Sequence, residues 1–258
     1  MRNIDIKDIV NTMDNADSFS IFFVGDSITE GARASSDETT YVAYVAEGLA
    51  KKYENKRVVR YDGKRHPTTD GALLPLLKYD GPIEIQRGNN GILSVIRSGI
   101  GGNTVQRLLN RKTDFIGKEI GGRTADLFII NVGINDALKC DPCKYVTSET
   151  FADNLNALID EIEKGAPNAD IILMTPSYND TGDSNISNLD PYANKMRSIA
   201  KARQIPLIDL HKAWMDHLVI GTENYGQQDW LSGVAGDSCH PSDIGHKAIA
   251  QTILDCLK

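Results

Sequence analysis

The chain has 258 residues, of which 41% are hydrophobic and 24% are charged, a composition typical of a globular protein with a sizeable core. Its net charge of −7 and pI near 5.3 indicate no basic surface, which argues against nucleic acid or anionic membranes as partners. The longest apolar runs are far too short to span a membrane, and MRNIDIKDIVNTMDN lacks the apolar core of a signal peptide. These features predict a cytoplasmic protein without membrane insertion and leave its oligomeric state open.

Short apolar segments alternate with amphipathic stretches along the chain. The dense runs of Ile, Leu, Val and Phe are typical of parallel strands that are buried on both faces. In chain order, the predicted strands are 20–26, 91–99, 126–133, 170–177 and 205–211, and the predicted helices are 41–53, 104–120, 150–165, 191–204 and 242–258. We therefore predict one domain over residues 1–258, a three-layer α/β/α sandwich around a five-stranded parallel sheet.

Residues 57–90 do not fit this alternation. IEIQ (83–86), the GNNG turn and ILSVIRSG (92–99) are typical of a β-hairpin. We predict an insertion that carries this hairpin and a loop before it. The insertion either shapes a substrate pocket or decorates the surface.

The four cysteines do not form a disulfide framework. Cys140 and Cys143 form a single CxxC motif, whereas Cys239 and Cys256 stand apart. A zinc site requires a second ligand pair at short spacing, so we predict free thiols and no metal. One alternative stays open, in which Cys140, Cys143 and Cys239 meet around His240 and bind zinc.

Polar residues and glycines follow the predicted strands at the edge where open α/β sheets bind ligands. GDSITEG (25–31) follows the first strand, SGIGGNT (98–104) the second and GIND (133–136) the third, and DSCH (237–240) precedes the last helix. We expect these four segments to meet in one crevice.

Together the four segments contain the groups of a nucleophilic hydrolase. A serine hydroxyl becomes a competent nucleophile when an imidazole accepts its proton, and an acid on the other ring nitrogen orients that imidazole. Asp237 stands three positions before His240, within reach on a compact loop. A glycine-rich turn and an asparagine amide can supply donors to an oxyanion.

VGDSITEG, SGIGGNT, NVGIND and DSCHPSDIGH resemble, in order, the four blocks of the SGNH or GDSL-type hydrolase family. The resemblance implies a flavodoxin-like three-layer fold and ester hydrolysis without a cofactor. It implies that Ser27 is the nucleophile and that Asp237 and His240 complete the triad. The oxyanion donors would be the N–H groups of Ser27 and Gly102 and the side chain of Asn135. GDSI replaces GDSL and GIND replaces the commoner GGND, and both changes spare these positions.

The non-enzymatic alternative is a flavodoxin-like module that binds FMN, because the same sheet with a Ser/Thr-rich first loop can hold its phosphate. That alternative leaves Asp237, His240 and Asn135 without a role. The chain has neither a Walker loop nor a GxSxG elbow, which argues against phosphoryl transfer and against the α/β-hydrolase fold.

The predicted substrate is a small-molecule or carbohydrate ester with a short acyl group, most simply an O-acetyl group on a sugar or similar polar alcohol. GDSITEG and HPSDIGH resemble the carbohydrate esterases of the family, and ENYGQQDWLSG (223–233) offers aromatic and amide groups that suit sugar hydroxyls. The alternative is a lysophospholipase or thioesterase, because the leucines of ALLPLLKY (72–79) can line a channel for a longer acyl chain.

Four further residues lie near these motifs. Asp26 is expected to brace the turn that carries the serine, and His246 is expected to pack or hydrogen-bond on the last helix. Trp230 and Tyr225 either stack on a sugar or line an acyl pocket, or they pack in the core or at the rim.

Overall fold

The computed structural model describes residues 5–66, 76–139, 141, 144–177, 188–220, 230–231, 237 and 239–258. In these residues the strands are β1 Ser18–Gly25, β2 Arg57–His66, β3 Leu76–Gln86, β4 Ile92–Gly99, β5 Leu127–Asn131, β6 Asp170–Met174 and β7 Leu207–Ile208. The α-helices are α1 Ile6–Asn15, α2 Ser27–Glu30, α3 Tyr41–Lys52, α4 Val105–Asn110, α5 Ser148–Gly165, α6 Asp190–Arg203, α7 Leu210–Ile220 and α8 Asp243–Cys256.

The strands form one sheet in the order β3-β2-β4-β1-β5-β6-β7. Every neighbouring pair is parallel except β2 and β3. Helices cover both faces, with α3 packed against α8 and α5 packed against α4 and α6. The predicted α/β/α sandwich is confirmed. No helix within the described ranges is long and apolar enough to cross a bilayer.

The central strand β1 sets the position of the crevice. Its apolar residues Phe19–Val24, apart from Ser20, belong to the hydrophobic core, since both faces of the strand are covered by helices. In the register of the sheet, Gly25 at its carboxyl end lies opposite Gly99 of β4 on one side and Asn131 of β5 on the other. The three strand ends are therefore level, and the loops that follow them start from the same edge.

Over the described residues the sheet has seven strands instead of the predicted five, and the predicted hairpin is wrong. IEIQ pairs antiparallel with β2, and β2 runs parallel beside β4. We did not predict β2 because it lacks a dense apolar run: Arg60 and Asp62 are buried in it, with Nη2 and Oδ2 3.0 Å apart, and Asp62 also pairs with Arg97. Of the predicted loop before IEIQ, residues 67–75 lie outside the described residues.

The predicted helix 104–120 is shorter than expected. It begins as α4 behind a Thr104 cap and ends at Asn110, and a 3₁₀ turn follows at Lys112–Asp114. Gly117 has a φ of 68°, a left-handed conformation that a right-handed helix does not accommodate. The other predicted helices are confirmed with ends that agree within two residues, whereas α1, α2 and α7 were not predicted.

Candidate active site

The turn after β1 presents Ser27 at the carboxyl edge of the sheet. Asp26 is buried, and its Oδ1 accepts a hydrogen bond from the Ile28 N–H at 3.0 Å, so it caps the start of α2 and braces the turn as predicted. A Cβ at Gly25 would lie 2.4 Å from the carbonyl oxygen of Asn131. This close approach of two strand ends fixes the backbone that leads into Ser27.

Ser27, His240 and Asp237 form a hydrogen-bonded line. Ser27 Oγ lies 2.8 Å from His240 Nε2, although 213 positions separate the two residues in sequence. His240 Nδ1 lies 2.9 and 3.0 Å from the two carboxylate oxygens of Asp237. Because a carboxylate only accepts, Nδ1 carries the proton and Nε2 can accept the proton of the serine hydroxyl. The His240 side chain is 25% exposed and that of Asp237 only 6%, so the imidazole is reachable from solution while the acid is shielded.

The carboxyl group of Asp237 is an anion at neutral pH. Burial alone would raise its pKa, but hydrogen bonds from Arg33 and from the backbone N–H of His240 outweigh burial, and the pKa lies below its ordinary value. The Arg33 Nε lies 2.6 Å from Oδ2, and the His240 N–H lies 3.1 Å from Oδ1. The acid can therefore compensate the charge of an imidazolium that forms beside it. The contact with Arg33 was not predicted from the sequence.

The turn after β4 and the loop after β5 place hydrogen-bond donors beside the serine. Gly102 has a φ of 80°, where glycine is favoured. Across the described part of the chain, the N–H groups of Ser27 and Gly102 donate no hydrogen bond. Asn135 Nδ2 donates to the Asn103 carbonyl at 3.0 Å, and Asn103 Nδ2 donates to the Gly25 carbonyl at 2.9 Å. An amide nitrogen carries two protons, so Asn135 keeps one for a ligand.

Sequence reasoning did not single out Asp136, the residue after Asn135. Asp136 is fully buried; its Oδ1 accepts the Val105 N–H at 3.2 Å, and its Oδ2 has no partner among the described residues. Burial raises its pKa to about 7, and repulsion from Asp26 adds to the shift. Burial also raises the pKa of Asp26 to about 7. Two carboxyl groups whose ionisation is disfavoured, those of Asp26 and Asp136, therefore lie beneath the site. Asp136 could not be recognised from the sequence, because its raised pKa depends on the burial of the GIND loop in the folded protein.

Cys239 lies beside the hydrogen-bonded line. Its Sγ is 3.7 Å from His240 Nδ1 and 3.9 Å from Asp237 Oδ1, and ligand-type atoms of the three residues lie within 4.8 Å of one another. His240 and Asp237 are already bonded to each other, and a guanidinium compensates the carboxylate, which disfavours a second cation there. Cys140 and Cys143, on which the zinc alternative depends, lie outside the described residues.

His246 has the structural role that we predicted. It is fully buried on α8, where Nδ1 accepts the Tyr41 N–H at 3.3 Å and Nε2 donates to the Ala32 carbonyl at 3.1 Å. Trp230 packs edge-to-face on the buried Trp214, with ring centroids 4.8 Å apart. Most of the segment 223–233 lies outside the described residues, so its predicted contact with sugar stays a prediction.

The chain is similar to one protein family and to several solved structures. The family model of GDSL-like lipases/acylhydrolases matches residues 21–253. No curated protein matches the chain. Among solved structures, the acetylxylan esterase Axe2 from Geobacillus stearothermophilus is 25% identical, with a TM-score of 0.62 over 93% of this chain and 94% of that chain.

Two further solved structures show the same fold at lower identity. The acetyl xylan esterase AlAXEase is 22% identical, with a TM-score of 0.63 over 92% of this chain and 98% of that chain. A lipase/acylhydrolase from Enterococcus faecalis is 22% identical, with a TM-score of 0.60 over 92% and 94% of the two chains.

The family match extends over most of the chain and includes all four motif blocks. It favours an ester hydrolase over the FMN-binding alternative, since the family is defined by acyl hydrolysis. Membership implies a small-molecule or carbohydrate ester as the substrate. The chain therefore belongs to the family of GDSL-like lipases/acylhydrolases and is a carboxylic ester hydrolase.

Proposed function

We propose that this protein hydrolyses esters through an acyl-enzyme on Ser27. The observation that carries the proposal is the 2.8 Å contact between Ser27 Oγ and His240 Nε2, with Asp237 on the opposite ring nitrogen. Oγ attacks the carbonyl carbon while its proton passes to Nε2, and this proton then leaves with the alcohol as the tetrahedral intermediate collapses. Water attacks the acyl-serine in the second half, with His240 again as the base, and releases the carboxylic acid.

Three donors stabilise the oxyanion of each tetrahedral intermediate in this proposal. They are the N–H groups of Ser27 and Gly102 and the second amide proton of Asn135. The two N–H groups are free within the described residues, and Asn135 is held in place by its bond to Asn103. Donors that are fixed before the reaction need no reorganisation when charge develops, which is why each contributes about 10²–10³ in kcat.

For the substrate we propose a short acyl group, an acetyl ester of a carbohydrate or a similar polar alcohol. The 25% identity to the acetylxylan esterase Axe2 along nearly the whole of both chains supports this choice. The motif forms GDSITEG and HPSDIGH support it independently. The alternative is a longer acyl chain, for which the leucines of 72–79 would form a channel; half of that segment, 72–75, lies outside the described residues, and the other half belongs to β3.

Labelling with a fluorophosphonate, followed by peptide mapping, tests the nucleophile. We expect modification at Ser27 in the folded protein and none in Ser27→Ala, with strongly reduced labelling in His240→Ala. Ser198→Ala, which removes an exposed hydroxyl on α6, is the matched control and should be labelled like the wild type. Folded wild-type protein that resists the reagent, or reacts at another serine, would contradict the proposal.

A series of p-nitrophenyl esters tests the acyl group. We expect kcat/KM to fall steeply from acetate and butyrate to octanoate and palmitate. A maximum at octanoate or beyond would defeat the short-acyl assignment and favour the leucine-lined channel. Release of acetate from acetylated xylo-oligosaccharides then tests the alcohol, because chromogenic esters report only on the acyl side.

A further inference from the structure

The segment that follows α2 is joined to the C-terminal block of the site at two points. The Ala32 carbonyl accepts the Nε2–H of His246 at 3.1 Å. Ser35 donates its N–H and its hydroxyl to the two carboxylate oxygens of Asp243, at 2.8 and 2.5 Å. These contacts lie on either side of Arg33, so the backbone around this residue is fixed to α8 from both directions.

Arg33 itself has a φ of 66°, a left-handed conformation that is uncommon for residues other than glycine. Such conformations persist where the surroundings enforce them, and they concentrate at functional sites. The conformation directs the guanidinium at the acid of the site: Arg33 Nε lies 2.6 Å from Asp237 Oδ2. One short loop therefore connects the turn that carries the serine to the acid that orients the histidine.

The two carboxylate oxygens of Asp237 share the imidazole of His240 but otherwise accept hydrogen bonds from different donors. Oδ1 accepts the backbone N–H of His240 at 3.1 Å and that of Cys239 at 3.4 Å, whereas Oδ2 accepts from Arg33. Both oxygens lie within 3.0 Å of His240 Nδ1. If the Arg33 guanidinium were removed, the imidazole of His240 would be the one described group that still contacts Oδ2. The carboxylate could then rotate about its Cβ–Cγ bond. The plane of the imidazole would then be less well defined.

We propose that Arg33 is a positioning residue for the hydrolysis: it locks the Asp237 carboxylate in the orientation that aims His240 Nε2 at Ser27. This inference rests on the proposed function of these three residues. Arg33 touches neither Ser27 nor the reacting atoms in the described structure, so its effect passes through Asp237 alone.

The test compares Arg33→Met and Arg33→Lys with a matched control. For Arg33→Met on p-nitrophenyl acetate we expect kcat to fall about 10–10²-fold with little change in KM, as loss of orientation predicts. Arg33→Lys restores the charge but not the Nε hydrogen bond, so it should restore only part of kcat. Arg57→Met breaks an Arg–Glu pair of similar exposure on β2 and should leave kcat unchanged.

An NMR measurement, which needs no substrate, distinguishes the proposed role of Arg33 from the proposed hydrolysis through Ser27. The Nδ1 proton between His240 and Asp237 should give a downfield NMR signal that disappears in His240→Ala and broadens or shifts in Arg33→Met. Wild-type kcat in folded Arg33→Met would overturn the inference. A lower kcat that accompanies a lower Tm, with the proton signal unchanged, would also overturn it by indicating a merely structural role. If wild-type Ser27 resists labelling, the proposed function fails, and the proton signal still decides whether Arg33 orients His240.

Discussion

Replacing Asp136 with asparagine tests the electrostatics beneath the site. Asp136 is fully buried, its Oδ2 has no partner in the described part of the structure, and burial raises its pKa from 3.8 to about 7. The folded protein therefore holds a proton between these two pH values that the unfolded chain has lost. Stability conferred by that proton is present at acidic pH and is lost as the pH rises through 7. A shift of about 3 pH units corresponds to about 4 kcal/mol of destabilisation once the group is fully ionised.

Asparagine keeps an oxygen that can accept the Val105 N–H and cannot ionise. We expect the free energy of unfolding of Asp136→Asn minus that of wild type to be about 2–3 kcal/mol larger at pH 8 than at pH 5, so that the variant is relatively more stable at the higher pH. Urea unfolding followed by circular dichroism at several pH values measures this difference. Asp153→Asn, which makes the same substitution on the exposed face of α5, is the matched control. A pH-independent difference for Asp136→Asn would refute the raised pKa, and a difference of opposite sign would refute the linkage argument itself.

Three further predictions concern the site and its supports. Asn135→Ala should lower kcat about 10²–10³-fold with an unchanged Tm if its amide binds the oxyanion; retention of wild-type kcat in an ester assay would remove that role. Gly99→Ala should destabilise the fold by about 1–3 kcal/mol and lower kcat, because the new Cβ would lie 2.1 Å from the Glu30 backbone nitrogen, and unchanged thermal denaturation would contradict this packing. Ser242→Ala removes the side-chain cap of α8 and should cost about 0.5–2 kcal/mol in chemical denaturation, whereas Ser242→Thr should keep most of it.

The sequence alone determined the layer architecture and the candidate site. Dense apolar runs locate β1, β4, β5, β6 and β7, since strands covered by helices on both faces must be apolar along their length. Three of the four motif blocks follow such strands, and the parallel sheet brings the strand ends to one edge. The resemblance of all four blocks to the SGNH hydrolases is what allowed Ser27, Gly102, Asn135, Asp237 and His240 to be named before any coordinates; their chemical roles stay predictions until the variants are tested.

Only the tertiary structure decided the pairing of charges. β2 looked like a polar insertion because Arg60 and Asp62 become compatible with burial only when they meet each other and Arg97 across the sheet. The same holds for Arg33 and Asp237, which are 204 positions apart, and for Asp136, whose pKa depends on what covers it. Apolar periodicity involves residues that are close in sequence, so it can be recognised from a short stretch of the chain. The energy of a buried charge depends on the distance to its partner and on the exclusion of water, and both arise only when distant segments pack together.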